Sequence, residues 1–229
     1  MKKFFLSFIF SSISVCLFAA DGYKIQLTLS DFKNAKAYLA FYYNGKTYSK
    51  DSTMIDAKGA GTFSNKEKLT EGIYIVYFNP DKYFDIMVGS DQNIKIKADT
   101  SDLSKVSVSG AVESVKFQEL VNFMGQKHKE QLELRQNYTD KKIDSLKYVQ
   151  GLDKLHNEVT TYQSKQINDY AGTFFSAFIK GTVPVEIPEF ENLPDSVKPM
   201  MRYQYIKKHY FDNINLSDPR FLKSWPIYK

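Results

Sequence analysis

The residue types that most often catalyse reactions or bind metals are few and scattered in this chain. None of the three histidines, His128, His156 and His209, has another histidine or a cysteine at the spacing of about three to five residues that zinc sites use. The 11 glycines are dispersed rather than grouped into a phosphate-binding loop. Gly-x-Ser-x-Gly and His-Glu-x-x-His motifs do not occur. The sequence therefore predicts no metal site and no cofactor, and it favours a polypeptide that is not an enzyme by itself.

The start of the chain has the pattern of a secretory signal peptide. Lys2 and Lys3 give a basic start, an apolar run follows over residues 4–18, and Ala19-Ala20 offers a small-residue exit. The apolar run is short for a membrane-spanning anchor, which is the alternative interpretation. We therefore expect residues 1–20 to be removed and the chain to be exported to the periplasm or the cell envelope.

The single cysteine, Cys16, leaves a second processing route open. Cleavage after Ala20 places Phe18 where a small residue is usual, so this cleavage site is imperfect. Lipidation at Cys16 is the alternative, although Val15 stands where a lipoprotein signal normally has Gly, Ala or Ser. Membrane attachment is expected only if Cys16 is lipidated. In either case the rest of the chain has no cysteine and no Cys-x-x-Cys motif.

The charge of the chain is mild and evenly spread. There are 31 basic and 26 acidic side chains, and the lysines form no continuous basic stripe. Nucleic-acid-binding proteins usually concentrate their positive charge on one face. The sequence therefore predicts no nucleic-acid partner.

Aromatic residues are abundant, with 16 Tyr and 18 Phe, and four tyrosines cluster around one turn. They are Tyr38, Tyr42, Tyr43 and Tyr48, and Asn44-Gly45 between them is a strong hairpin signal. Side chains alternate along a strand, so Tyr42 and Tyr43 are expected on opposite faces. An exposed tyrosine strip would suit contact with a peptide or a glycan. The alternative is cross-strand packing around the hairpin.

Residues 21–110 have the pattern of a β domain. Tyr23, Ile25, Leu27 and Leu29 alternate with polar residues, as in a half-buried strand. The run Ile73–Phe78 is apolar on both faces, which indicates a central strand covered from two sides. Seven to nine short strands with closely spaced turns predict an antiparallel β-sandwich.

Residues 111–229 have the pattern of a helical domain, which makes the fold class α+β. Apolar residues recur at helical spacing from Val112 to Tyr138, and a second long helix is expected to start at Thr139-Asp140. The dense apolar block Thr173–Ile179 is expected in the core, and Met200–Phe211 is expected to be helical. Between them, three prolines predict a loop.

Several stretches of the sequence resemble a known family. Three of them, Ala37–Lys46, Asp51–Phe63 and Glu71–Val76, are similar to its β domain, and Tyr210–Leu222 is similar to its helical domain. The family is the N-terminal region of Bacteroidetes thioredoxin-like thiol–disulfide oxidoreductases of the TlpA/ResA type. In these proteins a signal peptide, a β-sandwich of unknown function and a helical domain precede a thioredoxin fold with a Cys-x-x-Cys motif.

The resemblance implies a non-catalytic interaction or positioning region of an exported thiol–disulfide oxidoreductase. Its expected partner is a protein, either a thioredoxin-like module or a client. No catalytic residue is carried over, because the chain lacks the Cys-x-x-Cys motif. The chain is either a fragment of a longer oxidoreductase or an accessory domain pair. The alternative function is a stand-alone periplasmic or surface binding protein for peptide or glycan, and the oligomeric state stays open.

The resemblance also implies O-glycosylation at short Asp-Ser motifs used in that bacterial phylum. Three such motifs contain Ser52, Ser145 and Ser196. Ser196 lies in the proline-punctuated loop and is the acceptor that we expect to be accessible.

Overall fold

The computed structural model describes residues 22–43 and 45–224. The predicted signal peptide at residues 1–20, including Cys16, lies outside the described residues. No helix of the two described ranges is both long and apolar enough to cross a membrane.

The β domain is a sandwich of two four-stranded sheets. Its strands within the described residues are β1 (Tyr23–Ser30), β2 (Ala35–Tyr43), β3 (Lys46–Ile55), β4 (Ala60–Asn65), β5 (Gly72–Asn79), β6 (Lys82–Val88), β7 (Asn93–Asp99) and β8 (Asp102–Gly110). Sheet 1 has the order β4-β1-β7-β8, and sheet 2 has the order β3-β2-β5-β6. The predicted α+β class with an N-terminal sandwich is confirmed.

One strand pair departs from the antiparallel pattern that the sequence predicted. β1 pairs with β7 in parallel, with Ile25 opposite Ile94 and Leu27 opposite Ile96. Parallel neighbours need a long crossover connection. Here the chain between β1 and β7 forms this crossover, because all four strands of sheet 2 lie between them in the sequence. The sandwich is therefore mainly, but not entirely, antiparallel.

The main core lies between the two sheets. Tyr23, Ile25, Leu27 and Leu29 of β1 are all at most 5% exposed, whereas Lys24 and Thr28 between them are exposed. Burial of such alternating apolar faces is the main favourable contribution to folding of a sandwich.

Strand β5 has apolar contacts on both of its faces. Tyr74 and Val76 belong to the core between the sheets, whereas Ile73 belongs to a second core shared with the helices. The expectation of a central strand covered from two sides is confirmed at this end of β5. The second core also contains Met87 of β6.

Over the described residues 111–224, the helical part contains four α-helices and a short 3-10 helix. They are α1 (Val112–Thr139), α2 (Ser145–Asp169), α3 (Phe174–Thr182), α4 (Lys198–His209) and the 3-10 helix Pro219–Lys223. α3 fills the second core with four buried apolar side chains, Phe174, Phe175, Phe178 and Ile179. The prediction that this block packs in the core is confirmed.

The predicted start of the second long helix is wrong. Thr139 is the last residue of α1, and α2 starts after Asp144, whose carboxylate accepts the Lys147 N–H at 2.8 Å. This bond satisfies one of the amide donors that every helix N-terminus leaves free. Asp140 instead accepts hydrogen bonds from the side chains of Gln136 and Lys142.

A buried carboxylate joins the sandwich to the helices. Glu113 in the first turn of α1 is 7% exposed. One of its oxygens accepts the Ser90 N–H after β6, and the other accepts the Phe175 N–H in the first turn of α3, both at 3.1 Å. The Ser114 hydroxyl donates to the Met87 carbonyl at 2.6 Å. α1 and α3 are thus held on the outer face of sheet 2.

Candidate functional site

Three tyrosines form a row across the outer face of sheet 2. Tyr38 of β2 lies opposite Tyr77 of β5, and Tyr77 lies opposite Tyr83 of β6. The rings of Tyr38 and Tyr77 meet edge to face, with their centroids 6.4 Å apart. Because facing residues of neighbouring strands share one side of a sheet, the three rings line the same surface.

The next row of residues across these strands has smaller side chains than tyrosine, so the tyrosines border a groove. Ser49, Ala40 and Ile75 lie side by side on β3, β2 and β5. Tyr42, two residues beyond Ala40 on β2, forms the opposite wall. We call this depression of about 520 Å³ the tyrosine groove; it is lined by Tyr38, Ala40, Tyr42, Thr47, Ser49, Ile75, Tyr77 and Tyr83.

The helices leave the tyrosine groove uncovered. Phe117 and Leu120 of α1 and Phe178 of α3 pack over Ile73 and Met87 at one end of sheet 2. The tyrosine row lies four residues farther along β5 and β6, outside this second core. Sheet 1 offers a contrast, because its outer face carries the exposed polar side chains of Lys24, Lys95 and Lys97. An aromatic outer face is therefore particular to sheet 2.

Asp85 of β6 continues the row formed by Ser49, Ala40 and Ile75. It lies opposite Ile75, two residues from Tyr83. Its Oδ1 atom is buried, and no hydrogen-bond donor of the described residues reaches it. Burial raises the pKa of Asp85 to about 6, since the surroundings disfavour the charged form. Buried polar atoms without a hydrogen-bond partner are uncommon in folded proteins.

A second cavity lies on the other side of Tyr83, between β6 and the helices. This helix-side cavity has a volume of about 670 Å³. Asp85 lines it together with apolar side chains such as Leu120, Val121 and Met124 of α1. Tyr83 borders both the groove and this cavity, and is 47% exposed. The two depressions are thus neighbours that share one ring.

The pKa of the nearby Tyr42 phenol is shifted as well. Burial raises the pKa of Tyr42, and the negative charge of Asp85 raises it further. The hydroxyl therefore keeps its proton at neutral pH. It can donate a hydrogen bond to a ligand in the groove.

The four tyrosines singled out from the sequence do not form one surface. Tyr38 and Tyr42 lie in the groove, whereas Tyr43 and Tyr48 lie on the other face of the hairpin. There the Tyr48 ring stacks on Phe41 at 5.8 Å and meets Tyr43 at 6.3 Å. The cross-strand packing that was the alternative interpretation applies to this second pair.

Sequence reasoning missed Tyr77, Tyr83 and Asp85 as members of the site. The signal was present in part, because strand alternation and the short β5–β6 turn place Tyr77, Tyr83 and Asp85 on one face. The order of strands in sheet 2 was not available from local pattern, and it is this order that brings β6 within reach of β2.

The histidines show no arrangement for metal binding. His128 and His156 are exposed on α1 and α2. The His209 Nδ1 atom lies 2.7 Å from Asp212 Oδ2, and its ring stacks on Tyr205. Within the residues that the structure describes, no group of three or more potential ligand side chains could hold a metal ion.

Two of the three Asp-Ser motifs present their serine to solvent. Ser196 is exposed in the turn before α4, where the preceding Asp195 pairs with Lys198 at 2.7 Å. Ser145 is also exposed, in the first turn of α2. Ser52 is half-buried in β3.

The comparison with protein families finds one match. Residues 23–117 match the model of a domain of unknown function, DUF4369. The matched range contains all eight strands and the start of α1, and so includes the tyrosine groove and Asp85. No curated protein and no solved structure matches the chain. The similarity to thioredoxin-like oxidoreductases stays a prediction from the sequence.

Proposed function

We propose that this chain is a non-catalytic binding module of the bacterial cell envelope, in which the tyrosine groove holds a segment of a protein partner. The partner is a thioredoxin-like thiol–disulfide oxidoreductase module or one of its clients, as the sequence resemblance implies. The observation that carries the proposal is the row formed by Tyr38, Tyr77 and Tyr83, which remains open beside the helices.

The groove has the composition of a protein-binding surface. Tyrosine offers a large apolar ring at low cost in side-chain entropy, and its hydroxyl provides one polar contact. Tyrosine is accordingly enriched at the centre of interfaces. Ala40 and Ser49 keep the floor low, so a side chain of the partner can lie between the walls formed by Tyr38 and Tyr42.

A positioning role agrees with the distribution of thiols in the sequence. Cys16 is the single cysteine and falls in the predicted signal peptide. Disulfide exchange would therefore belong to the partner, and this chain would contribute affinity and orientation. Export to the periplasm or cell envelope would bring the chain to the compartment in which such partners work.

The groove also supports a second candidate, a stand-alone binder of peptide or glycan. An open aromatic surface beside a carboxylate can stack a sugar ring and accept hydrogen bonds from its hydroxyls. Tyr83 and Asp85, neighbours on the same face of β6, have this arrangement.

Site-specific photo-crosslinking in living cells tests the proposal. The photoreactive residue p-benzoylphenylalanine replaces Tyr77 in the groove, and in a matched strain it replaces Lys95 on the outer face of sheet 1. Crosslinked products are purified and identified by mass spectrometry. The expected result is a crosslink from the Tyr77 position to a protein with a Cys-x-x-Cys motif, and none from the Lys95 position.

Two other outcomes contradict the proposed partner. Equal crosslinking from both positions would show that the groove is not the binding surface. Crosslinks from the Tyr77 position only to proteins without a Cys-x-x-Cys motif, or to a glycan, would favour the stand-alone binder.

A further inference from the structure

Asp85 lines the helix-side cavity and lies opposite Ile75, a residue of the tyrosine groove. Among the described residues that line these two depressions, it is the one with a charged side chain. Its Oδ1 atom is shielded from solvent and receives no hydrogen bond from the described residues. A buried carboxylate oxygen without a donor is unfavourable, so such a group usually has a structural or a binding role.

The side chains around Asp85 do not supply the missing donor. Gln118 Nε2 donates to Asn122, and Gln163 Nε2 lies 3.4 Å from the Thr182 hydroxyl. The remaining lining of the helix-side cavity is mostly apolar and includes Leu103 and Val106 of β8. The Asp85 side chain thus lies against a space with mostly apolar walls, and its buried Oδ1 atom is without a donor among the described residues.

We propose that Asp85 binds the cationic end of a lysine or arginine side chain that belongs to the partner segment in the tyrosine groove. The methylene stem of that side chain lies against Tyr83 and the apolar wall of α1, formed by Val121 and Met124. The ammonium or guanidinium group pairs with the Asp85 carboxylate. This inference rests on the proposed function, and adds to it the type of side chain that the partner segment must carry.

Charge and shape both favour a cation with a long apolar stem. A charged donor forms a hydrogen bond about twice as strong as a neutral donor does, and it also neutralises the carboxylate. Lysine and arginine routinely bury their stems against apolar surface while their charged ends reach a polar group. An acidic or purely apolar side chain would leave the Asp85 carboxylate without a countercharge.

The site is expected to respond to pH through Asp85. The raised pKa of Asp85, about 6, means that acidification below this value protonates the carboxyl group and removes its charge. The other titratable groups facing it are the phenols of Tyr42 on β2 and Tyr83 on β6, whereas α1, α2 and α3 contribute uncharged polar side chains such as Gln118, Gln163 and Thr182. β8 contributes apolar side chains. Preference for a cation should therefore decline as the pH falls through about 6.

A pair of matched peptides tests the inference on the purified chain. The probe is acetyl-Ser-Tyr-Lys-Tyr-Ser-amide, and the neutral probe carries norleucine in place of lysine. Methyl resonances of Leu120, Val121 and Met124 report on the helix-side cavity, and those of Ala40 and Ile75 report on the groove. Each titration is repeated with the Asp85→Asn variant and with Asp81→Asn, an exposed turn residue that serves as the charge-matched control.

We expect the lysine peptide to bind the unmodified chain at least about 30-fold more tightly than the norleucine peptide, as for a desolvated charge pair. Asp85→Asn should abolish this preference, and Asp81→Asn should keep it. Equal affinity of the two peptides, or an unchanged preference in Asp85→Asn, would overturn the inference. So would a lysine peptide that shifts none of the cavity methyl groups. The crosslinking experiment uses no basic probe, so it judges the proposed function separately.

Discussion

Glu113 and Asp85 are both acidic side chains removed from solvent, but their surroundings differ. Both oxygens of Glu113 accept backbone N–H groups, from Ser90 and Phe175, so its burial is compensated. Asp85 has a buried oxygen that receives no hydrogen bond from the described residues. At the scale of single residues, this difference separates a carboxylate that joins two parts of the fold from one that lines a cavity.

The role of Glu113 predicts a loss of stability on Glu113→Gln. The amide has one acceptor oxygen, so one of the two backbone donors would face an NH₂ group instead. We expect the free energy of unfolding to fall by about 1–3 kcal/mol, the usual cost of an unsatisfied buried group. Urea denaturation followed by circular dichroism measures this change.

Glu119→Gln is the matched control for this prediction. Glu119 lies on the same helix, is exposed and pairs with Lys116. Its replacement should change the free energy of unfolding by less than about 1 kcal/mol. Equal effects of the two substitutions would contradict the anchoring role of Glu113.

The environment of Asp85 predicts the opposite effect for Asp85→Asn. The pKa of Asp85 rises from 3.8 to about 6 on folding, so the ionised form is disfavoured in the folded state. The contribution of Asp85 to the free energy of unfolding is therefore most favourable where the group is protonated, and it declines as the pH rises from about 4 to about 6. At one pKa unit per 1.36 kcal/mol, Asp85→Asn should stabilise the chain at pH 7.5 by up to about 3 kcal/mol.

Thermal or urea unfolding at pH 4 and pH 7.5 measures the effect. The advantage of Asp85→Asn over the unmodified chain should be small at pH 4 and large at pH 7.5. Asp81→Asn should show no such dependence, because Asp81 is exposed. A destabilised Asp85→Asn variant at pH 7.5 would mean that the carboxylate has a structural partner.

At the scale of elements, local pattern predicted the strands and helices well but not their contacts. The alternation of Tyr23, Ile25, Leu27 and Leu29 is local, and it correctly predicts which face of β1 is buried. The start of α2 was missed because Asp140 and Asp144 are both good capping residues, and their spacing alone does not choose between them. The choice depends on where α1 ends. Because α1 extends through Thr139, Asp140 cannot begin the next helix.

Capping by Asp144 predicts which of these two aspartates stabilises α2. Asp144→Ala removes the acceptor of the Lys147 N–H and should lower the free energy of unfolding by about 1 kcal/mol. Asp140→Ala breaks only exposed side-chain contacts and should cost less than about half of that. Chemical denaturation of the two variants compares them, and a larger effect of Asp140→Ala would place the helix start where the sequence pattern first suggested it.

At the scale of the whole molecule, the two faces of sheet 2 have different roles. Its inner face builds the sandwich core, and its outer face is divided between the helix contact at Ile73 and Met87 and the open tyrosine groove. The sequence indicated a cluster of exposed tyrosines, yet only Tyr38 and Tyr42 of that cluster reach the groove. Tyr77 and Tyr83 join them through the strand order β2-β5-β6, a long-range feature that no local pattern contains.

The distribution of the tyrosines over two faces provides an internal control for binding at the tyrosine groove. Tyr38 and Tyr77 belong to the groove, whereas Tyr43 and Tyr48 contact each other on the opposite face. The double variants Tyr38→Ser/Tyr77→Ser and Tyr43→Ser/Tyr48→Ser remove the same atoms from the two surfaces. Matched melting temperatures would show that both variants are folded.

The most direct measurement is the affinity of these two variants for the partner identified by crosslinking, determined by titration calorimetry. Loss of two central aromatic contacts should weaken binding by the groove variant at least about 30-fold. Binding by the opposite-face variant should change less than about threefold. Unchanged affinity of the folded groove variant, or an equal loss in both variants, would contradict the assignment of the tyrosine groove as the binding surface.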